Sequence, residues 1–382
     1  MPLKVARRGQ IPPFIVMDVM RAASEMEAAG EDVVHLEVGQ PGGNPPASAI
    51  RAAHAALDSH RLGYTPALGL PELRGAIADW YGRCYGITVP AERIVVTTGS
   101  SGAFVLSFLA AFEAGDRVAL GSPGYPAYRN ILSALGVQVV DIPVGADTHF
   151  QPTPAHLEAL DPPIDGLIVA SPNNPTGSML SGGALGELAG WCEANGVRLI
   201  SDEIYHGITF AESARTAAEV ADHAVVVNSF SKYFAMTGWR LGWLVVPEDM
   251  LRAVECLGQN LFISPPTLSQ LAGAAVFAEQ AELDARVARY AENRAILLEG
   301  LPRAGFADLA PADGAFYIYA DISHLTDDSP AFCRRMLAET GVATTPGVDF
   351  DPTRGHRFMR FSFAGTPDDM REAVRRLTRW MG

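Results

Sequence analysis

From residue 93 onward, short β-branched runs alternate with stretches of helical spacing, and few folds accommodate that rhythm. The runs are Ile94–Thr97, Val118–Leu120, Val137–Ile142, Leu167–Ala170, Arg198–Ser201, Val225–Asn228 and Leu241–Val246. Between several of them the apolar residues recur at helical spacing, over Gly102–Phe112, Tyr125–Leu135 and Ala184–Ala194. Runs that are apolar on both faces need cover on both faces, and parallel neighbours need a crossover long enough to hold a helix. The alternation therefore predicts a large, mostly parallel sheet covered by helices. Before it, Phe14–Ala29 places Ile15, Val19, Met20, Ala23 and Met26 on one helical face, with Gly30 as a stop. Pro71–Tyr85 reads as a second amphipathic helix with Leu73, Ile77, Trp80, Tyr81 and Cys84 together. After Glu248 the pattern is helical to about Leu301. The remainder mixes strand-like segments (Ala315–Ala320, Phe358–Phe363) with helices (Pro330–Thr340, Pro367–Arg379), as in a smaller α+β domain. A length of 382 residues fits two or three domains.

In an open α/β sheet, ligands gather beyond the carboxyl ends of the strands. The unusual polar residues of this chain follow the predicted strands: Gly99-Ser100-Ser101-Gly102, Ser122-Pro123-Gly124-Tyr125, Ser171-Pro172-Asn173-Asn174-Pro175-Thr176-Gly177, Asp202-Glu203-Ile204-Tyr205, and Ser229 with Lys232. If the strands are parallel, all of these clusters share one edge. The Gly-Ser-Ser-Gly segment opens a helix and can offer backbone N–H groups and hydroxyls to a phosphate. Any strand–helix junction carries such residues, so that segment alone decides little. Ser229 and Arg240 add a hydroxyl and a two-pronged cation for the same anion. Asp202 can pair with a buried cationic nitrogen, and in isolation it serves equally as a turn or N-cap aspartate. Asn174 and Tyr205 can donate to a phenolate oxygen, although Asn-Pro and Pro-Thr-Gly are also ordinary turn formers.

Lysine occurs only twice, at Lys4 and Lys232, against 27 arginines. A chain that uses arginine almost wherever a solvated cation will do needs a reason for lysine in the string Ser229-Phe230-Ser231-Lys232. A guanidinium keeps its charge and is a poor nucleophile; a lysine amine can be deprotonated by its surroundings and attack a carbonyl.

Composition removes other classes. A net charge of −14 disfavours nonspecific binding to nucleic acid or anionic membrane. No apolar run reaches the roughly 18 to 20 residues of a membrane span, and Met1–Phe14 lacks the apolar core of a signal peptide. Cys84, Cys192, Cys256 and Cys333 form no CxxC pair and fit reduced thiols in a cytoplasmic protein. The histidines form no ligand cluster, so no metal is expected.

A phosphate, a pyridinium, a phenolate and an aldehyde awaiting an amine together describe pyridoxal phosphate. At these residues the chain closely resembles the class I/II aminotransferases, the fold-type I pyridoxal-phosphate enzymes. The family's Ser-Pro-Asn-Asn-Pro-Thr-Gly stands at 171–177, its Asp-Glu-x-Tyr at 202–205, its Ser-x-Ser-Lys-x(5)-Gly-x-Arg at 229–240, and its near-C-terminal arginine motif at Arg360-Phe361-Ser362-Phe363. These motifs are collinear over nearly the whole length, which makes them far more specific together than any one alone.

The resemblance implies a role for each residue. Lys232 would carry the cofactor aldehyde and later move the α-proton. Asp202 would keep the pyridine nitrogen protonated. Asn174 and Tyr205 would bond the phenolate oxygen, and Tyr125 would stack on the ring. Ser100, Ser101, Ser229 and Arg240 would hold the phosphate. Tyr64 would reach the neighbouring subunit's phosphate, which implies a homodimer with shared sites. Arg360 would clamp the substrate α-carboxylate, with backbone contact from Gly39. His206 has no role in the family pattern and is read as structural. The implied division is an N-terminal arm, helix and strand (1–45) joining the small domain, a large cofactor-binding domain (46–282), and a C-terminal small domain (283–382). The implied activity is ping-pong amino transfer from an L-amino acid to a 2-oxo acid. Two alternatives share the residues: a C–S β-lyase or related elimination enzyme, and a cofactor-sensing regulator. The regulator would need a DNA-binding domain for which the arm of roughly 13 residues is too short. The residues do not show which substrate side chain is read.

Overall fold

The computed structural model describes residues 3–382 and bears out the α/β reading. The strands are β1 (Val34–His35), β2 (Ile94–Thr97), β3 (Arg117–Ser122), β4 (Gln138–Pro143), β5 (Gly166–Ala170), β6 (Arg198–Asp202), β7 (Val225–Ser229), β8 (Gly242–Val245), β9 (Asp308–Leu309), β10 (Tyr317–Asp321), β11 (Val342–Ala343), β12 (Thr345–Pro346) and β13 (Phe358–Ser362). Seven of them form the central sheet in the order β2-β8-β7-β6-β5-β3-β4. Strand β8 runs antiparallel to both of its neighbours, and every other pairing is parallel. Because β8 reverses between β2 and β7, those two strands point the same way. Thr97, Ser122, Ala170, Asp202 and Ser229 therefore end on one edge. Gly242, which begins β8, pairs with both Thr97 and Ser229, so Arg240 arrives at that same edge from the opposite direction.

The alternation along each strand sorts side chains onto two covered faces. Ile94, Val96, Leu167, Val169, Leu199, Val226 and Trp243 pack into one apolar cluster. Val95, Val118, Ile168, Ile200, Val225, Val227 and Leu244 pack into another. Burial on both faces is why these strands read as nearly unbroken β-branched runs. The helix Gly99–Ala111 lies within the second cluster, where Phe104 and Phe108 are buried; full burial of each contributes about 2–3 kcal/mol.

The helix Pro71–Tyr85 forms as expected and ends at Gly86 in the left-handed conformation. Leu73, Ile77, Trp80 and Tyr81 are buried, but Cys84 is exposed, and Tyr85 is the residue of the last turn that packs against the core. Helices Glu248–Leu261, Thr267–Ala275 and Gln280–Arg303 occupy the expected helical stretch. Beyond them an antiparallel sheet in the order β12-β13-β10-β9 packs with helices Ser329–Thr340 and Pro367–Met381. The N-terminal strand β1 pairs with β11, which carries residues 34–35 to this C-terminal layer.

Candidate active site

One cavity of about 340 Å³ opens where the carboxyl edge of the large sheet meets the C-terminal layer. It gathers Gly39, Ser100, Ser101, Tyr125, Asn174, Asp202, Tyr205, Lys232, Arg240 and Arg360 from across 320 residues of sequence. Two predicted residues lie elsewhere. Ser229 is buried behind the wall, with its hydroxyl within hydrogen-bonding distance of Ser231 Oγ (2.9 Å) and the Leu241 carbonyl (3.1 Å); Ser231 lines the cavity in its place. Tyr64 is 84% exposed and lines a separate surface depression with Arg61 and Phe262.

Lys232 Nζ donates to the Gly39 carbonyl at 2.5 Å. Burial, and then the nearby Arg360 and Arg240 charges, lower its amine to a pKa of about 8, while Asp202 pulls the other way. A minor fraction, far larger than for an ordinary lysine, is thus a free nucleophile near neutral pH, as attack on a carbonyl requires. Burial raises the Asp202 carboxyl to about 6. It accepts from the Tyr128 hydroxyl and, at 3.1 Å, from the Ile204 N–H, so the turn-forming role and the site role coexist. Neither partner is a cation, which leaves the carboxylate free to pair with one.

The predicted helix start at Gly102 moves to Gly99, and this matters for anion binding. Gly99, Ser100 and Ser101 form the first turn, where backbone N–H groups have no partner within the helix. Gly99 holds φ +73°, and a Cβ there would lie 2.7 Å from Arg240 Nη2. Only glycine lets the guanidinium come so close to the helix N-terminus. The result is a cradle of main-chain donors, two hydroxyls and one cation.

Arg360 is 3% exposed. Its Nη1 donates to Asn174 Oδ1 at 2.8 Å, and Nη2 donates to the Glu37 carbonyl and, at 3.3 Å, to Thr345 Oγ1. The guanidinium lies 4.3 Å from the centre of the Tyr317 ring and 4.7 Å from that of Phe350. Such stacking fixes a planar cation without neutralising it. Tyr317 also places its hydroxyl 2.8 Å from that of Tyr205, and a Cβ on Gly39 would overlap it at 1.7 Å. Phe14, Val16 and Met17 close the cavity from the N-terminal segment, with the Phe14 and Tyr125 ring centres 5.7 Å apart.

Sequence reasoning missed Tyr128, Tyr317, Ser231, Thr237, Val16 and Met17. Tyr128 carried a usable signal, since it lies three residues after Tyr125 on the same helical face. Tyr317 carried none, because it joins the site only through β10. His206 is structural, as expected: Nε2 lies 2.9 Å from the Ser171 carbonyl and Nδ1 2.7 Å from the Tyr85 hydroxyl. Burial lowers its pKa to about 4, so it stays neutral.

Comparison with known proteins agrees with this arrangement. The family pattern of aminotransferase class I and II matches residues 31–377. The valine–pyruvate aminotransferase of Mycobacterium tuberculosis is 55% identical over 382 residues, covering 99% of this chain and 98% of that protein. The aspartate/prephenate aminotransferase of Thermus thermophilus is 34% identical, covering 99% of each. A crystal structure of an aminotransferase from M. tuberculosis superposes with a TM-score of 0.98 at 55% identity, covering 100% of this chain and 99% of that one. The chain belongs to the class I and II aminotransferases. It is an enzyme that moves amino groups between amino acids and oxo acids.

Proposed function

We propose that this chain binds pyridoxal phosphate in the described cavity and transfers amino groups by a ping-pong route between a small apolar L-amino acid and a 2-oxo acid. The observation that supports it best is the convergence of one amine, one buried carboxylate without a cationic partner, and one anion cradle on a single cavity. Those features fit the aldehyde, the ring nitrogen and the phosphate of that cofactor. Ser100, Ser101 and Arg240 would hold the phosphate, with Ser229 acting through Ser231. Asp202 would face the ring nitrogen, Asn174 and Tyr205 the phenolate oxygen, and Tyr125 the ring. When bound, the cofactor supplies an aldehyde that condenses with amines and a ring that withdraws electrons from the adjacent carbon.

The chain's own residues do the rest. Arg360 orients the substrate through its α-carboxylate. Lys232 removes the proton from the α-carbon and returns it at the other end of the reacting system. Asp202 keeps the ring nitrogen protonated through its negative charge. Phe14, Val16 and Met17 exclude water.

The wall also supports the substrate class. Arg240 and Arg360 are the arginines among the described residues lining the cavity, and each already has an anion to hold. The side-chain end is bounded by Phe14, Val16, Met17 and Val38, a surface suited to aliphatic groups. The named activity of the 55%-identical relative points the same way. The functional unit is a homodimer, in which the exposed Tyr64 reaches the partner's phosphate. Exposed Leu261, Phe262 and Ile263 fit a covered surface in that region. The chain divides at 45/46 and 282/283, and the enzyme works in the cytoplasm.

A panel of amino donors tests the substrate reading. Valine paired with pyruvate, and alanine paired with 2-oxoisovalerate, are expected to exceed aspartate with the same acceptors in kcat/KM by at least about tenfold, since a dicarboxylate would bury an unpaired charge. A preference for aspartate would contradict the apolar reading.

A further inference from the structure

Three side chains outside the cavity join the N-terminal helix to the segment that touches Arg360 and Lys232. Glu37 is fully buried. Its Oε1 lies 2.8 Å from His35 Nδ1, and its Oε2 has no hydrogen-bond partner among the described residues. His35 Nε2 lies 3.2 Å from Glu27 Oε1, on helix Ile15–Ala28. The imidazole is thus gripped by two carboxylates from different elements. They raise its pKa to about 9, chiefly through the Glu37 hydrogen bond. At neutral pH it is a cation that compensates a buried charge.

The main chain of the same segment makes this consequential. The Glu37 carbonyl accepts from Arg360 and, at 2.9 Å, from Thr345 Oγ1. Two residues later the Gly39 carbonyl accepts from Lys232. One stretch of backbone therefore holds two of the site's cationic side chains, Arg360 and Lys232. Between strands, Leu36 N donates to the Ala343 carbonyl and Ser362 N to the Leu36 carbonyl, which ties the stretch to β11 and β13. The helix that carries Glu27 also carries Val16 and Met17 of the cavity wall.

We propose that His35 and Glu37 are positioning residues for substrate-carboxylate binding: their ion pair, extended to Glu27, fixes residues 36–39 so that Arg360 presents its fork at the right place. The proposal rests on Arg360 being the α-carboxylate clamp. Removing the imidazolium leaves Glu37 buried and uncompensated, a strongly unfavourable state. The segment relieves it by shifting, and the Glu37 carbonyl shifts with it.

In the holoenzyme, His35→Gln is expected to raise KM about tenfold for valine, alanine and aspartate alike, with kcat within about twofold of wild type. Cofactor content is expected to stay unchanged. Adding Glu37→Gln removes the stranded charge, and H35Q/E37Q is expected to return KM to within about threefold of wild type. A purely structural role would lower the unfolding temperature and the active fraction without moving KM. Should H35Q not fold, Glu37→Gln alone strands no buried charge and is expected to raise KM about threefold through the lost charge-assisted bond. Wild-type KM in H35Q, or in E37Q where H35Q does not fold, or a double variant no better than H35Q, would overturn the proposal. Arg360→Lys separates the two levels, because it is expected to cost about a hundredfold in kcat/KM for every donor. A near-wild-type R360K would remove the clamp assignment itself, and the positioning role with it.

Discussion

Lys232→Ala is expected to lower turnover by about 10⁴-fold, near the upper end of what a positioned acid–base group contributes. The reason lies in the surroundings of the amine. Lys232 is the amine that lines the cavity, and its pKa falls to about 8 through burial and the two arginines, so part of it is unprotonated near neutral pH. Tyr205 and Tyr125 cannot replace it, because burial raises both phenols well out of range, Tyr125 to about 12. His206 does not line the cavity and cannot substitute. The variant is expected to keep its fold and still bind cofactor through the Ser100–Arg240 cradle and Asp202. Steady-state rates, together with the absorbance of cofactor retained after gel filtration, check both parts.

Asp202→Asn is expected to cost about 10³-fold in kcat, on the scale of removing a preorganised electrostatic partner from an enclosed site. The amide preserves shape: its oxygen can still accept the Ile204 N–H while its NH2 donates to the Tyr128 hydroxyl oxygen, so the loop keeps its conformation. What it cannot do is hold a proton on a ring nitrogen. The pH dependence separates this loss from a packing defect. With an Asp202 pKa of about 6, the contribution of Asp202 to cofactor affinity in wild type is constant well above pH 6 and is lost as the carboxyl protonates below it. D202N has no carboxyl to titrate there, so its weaker affinity lacks that additional acid fall. A wild-type kcat, or the same acid fall in the variant, would refute the role.

The parts of this molecule that were legible in sequence are those with a local physical signature. Val225–Asn228 reads as a strand because Val225, Val226 and Val227 fill both covered faces in turn, with no polar residue among them. Pro71–Tyr85 reads as a helix because proline and glycine bracket a periodic apolar face. Lys232 stood out because almost every other cation is arginine. What escaped depends on contacts distant in sequence. The helix start at Gly99 was hidden because Gly-Ser-Ser-Gly has poor helix propensity; packing against the sheet and the approach of Arg240 override it. Ser229 and Ser231 are both serines of one motif, and only the turn after β7 decides which of them faces the cavity. Tyr317 meets Tyr205 across 112 residues, and Phe14 meets Tyr125 across 111. The Glu27–His35–Glu37 series has no motif at all, since it exists only when the helix lies against β1.

The central claim is that Lys232 carries the cofactor in this cavity, and a chain with two lysines allows a clean measurement. Borohydride reduction of the holoenzyme followed by peptide mapping is predicted to place one pyridoxyl group per chain on Lys232. A label on Lys4, or no label in an enzyme that still transfers amino groups, would contradict the account.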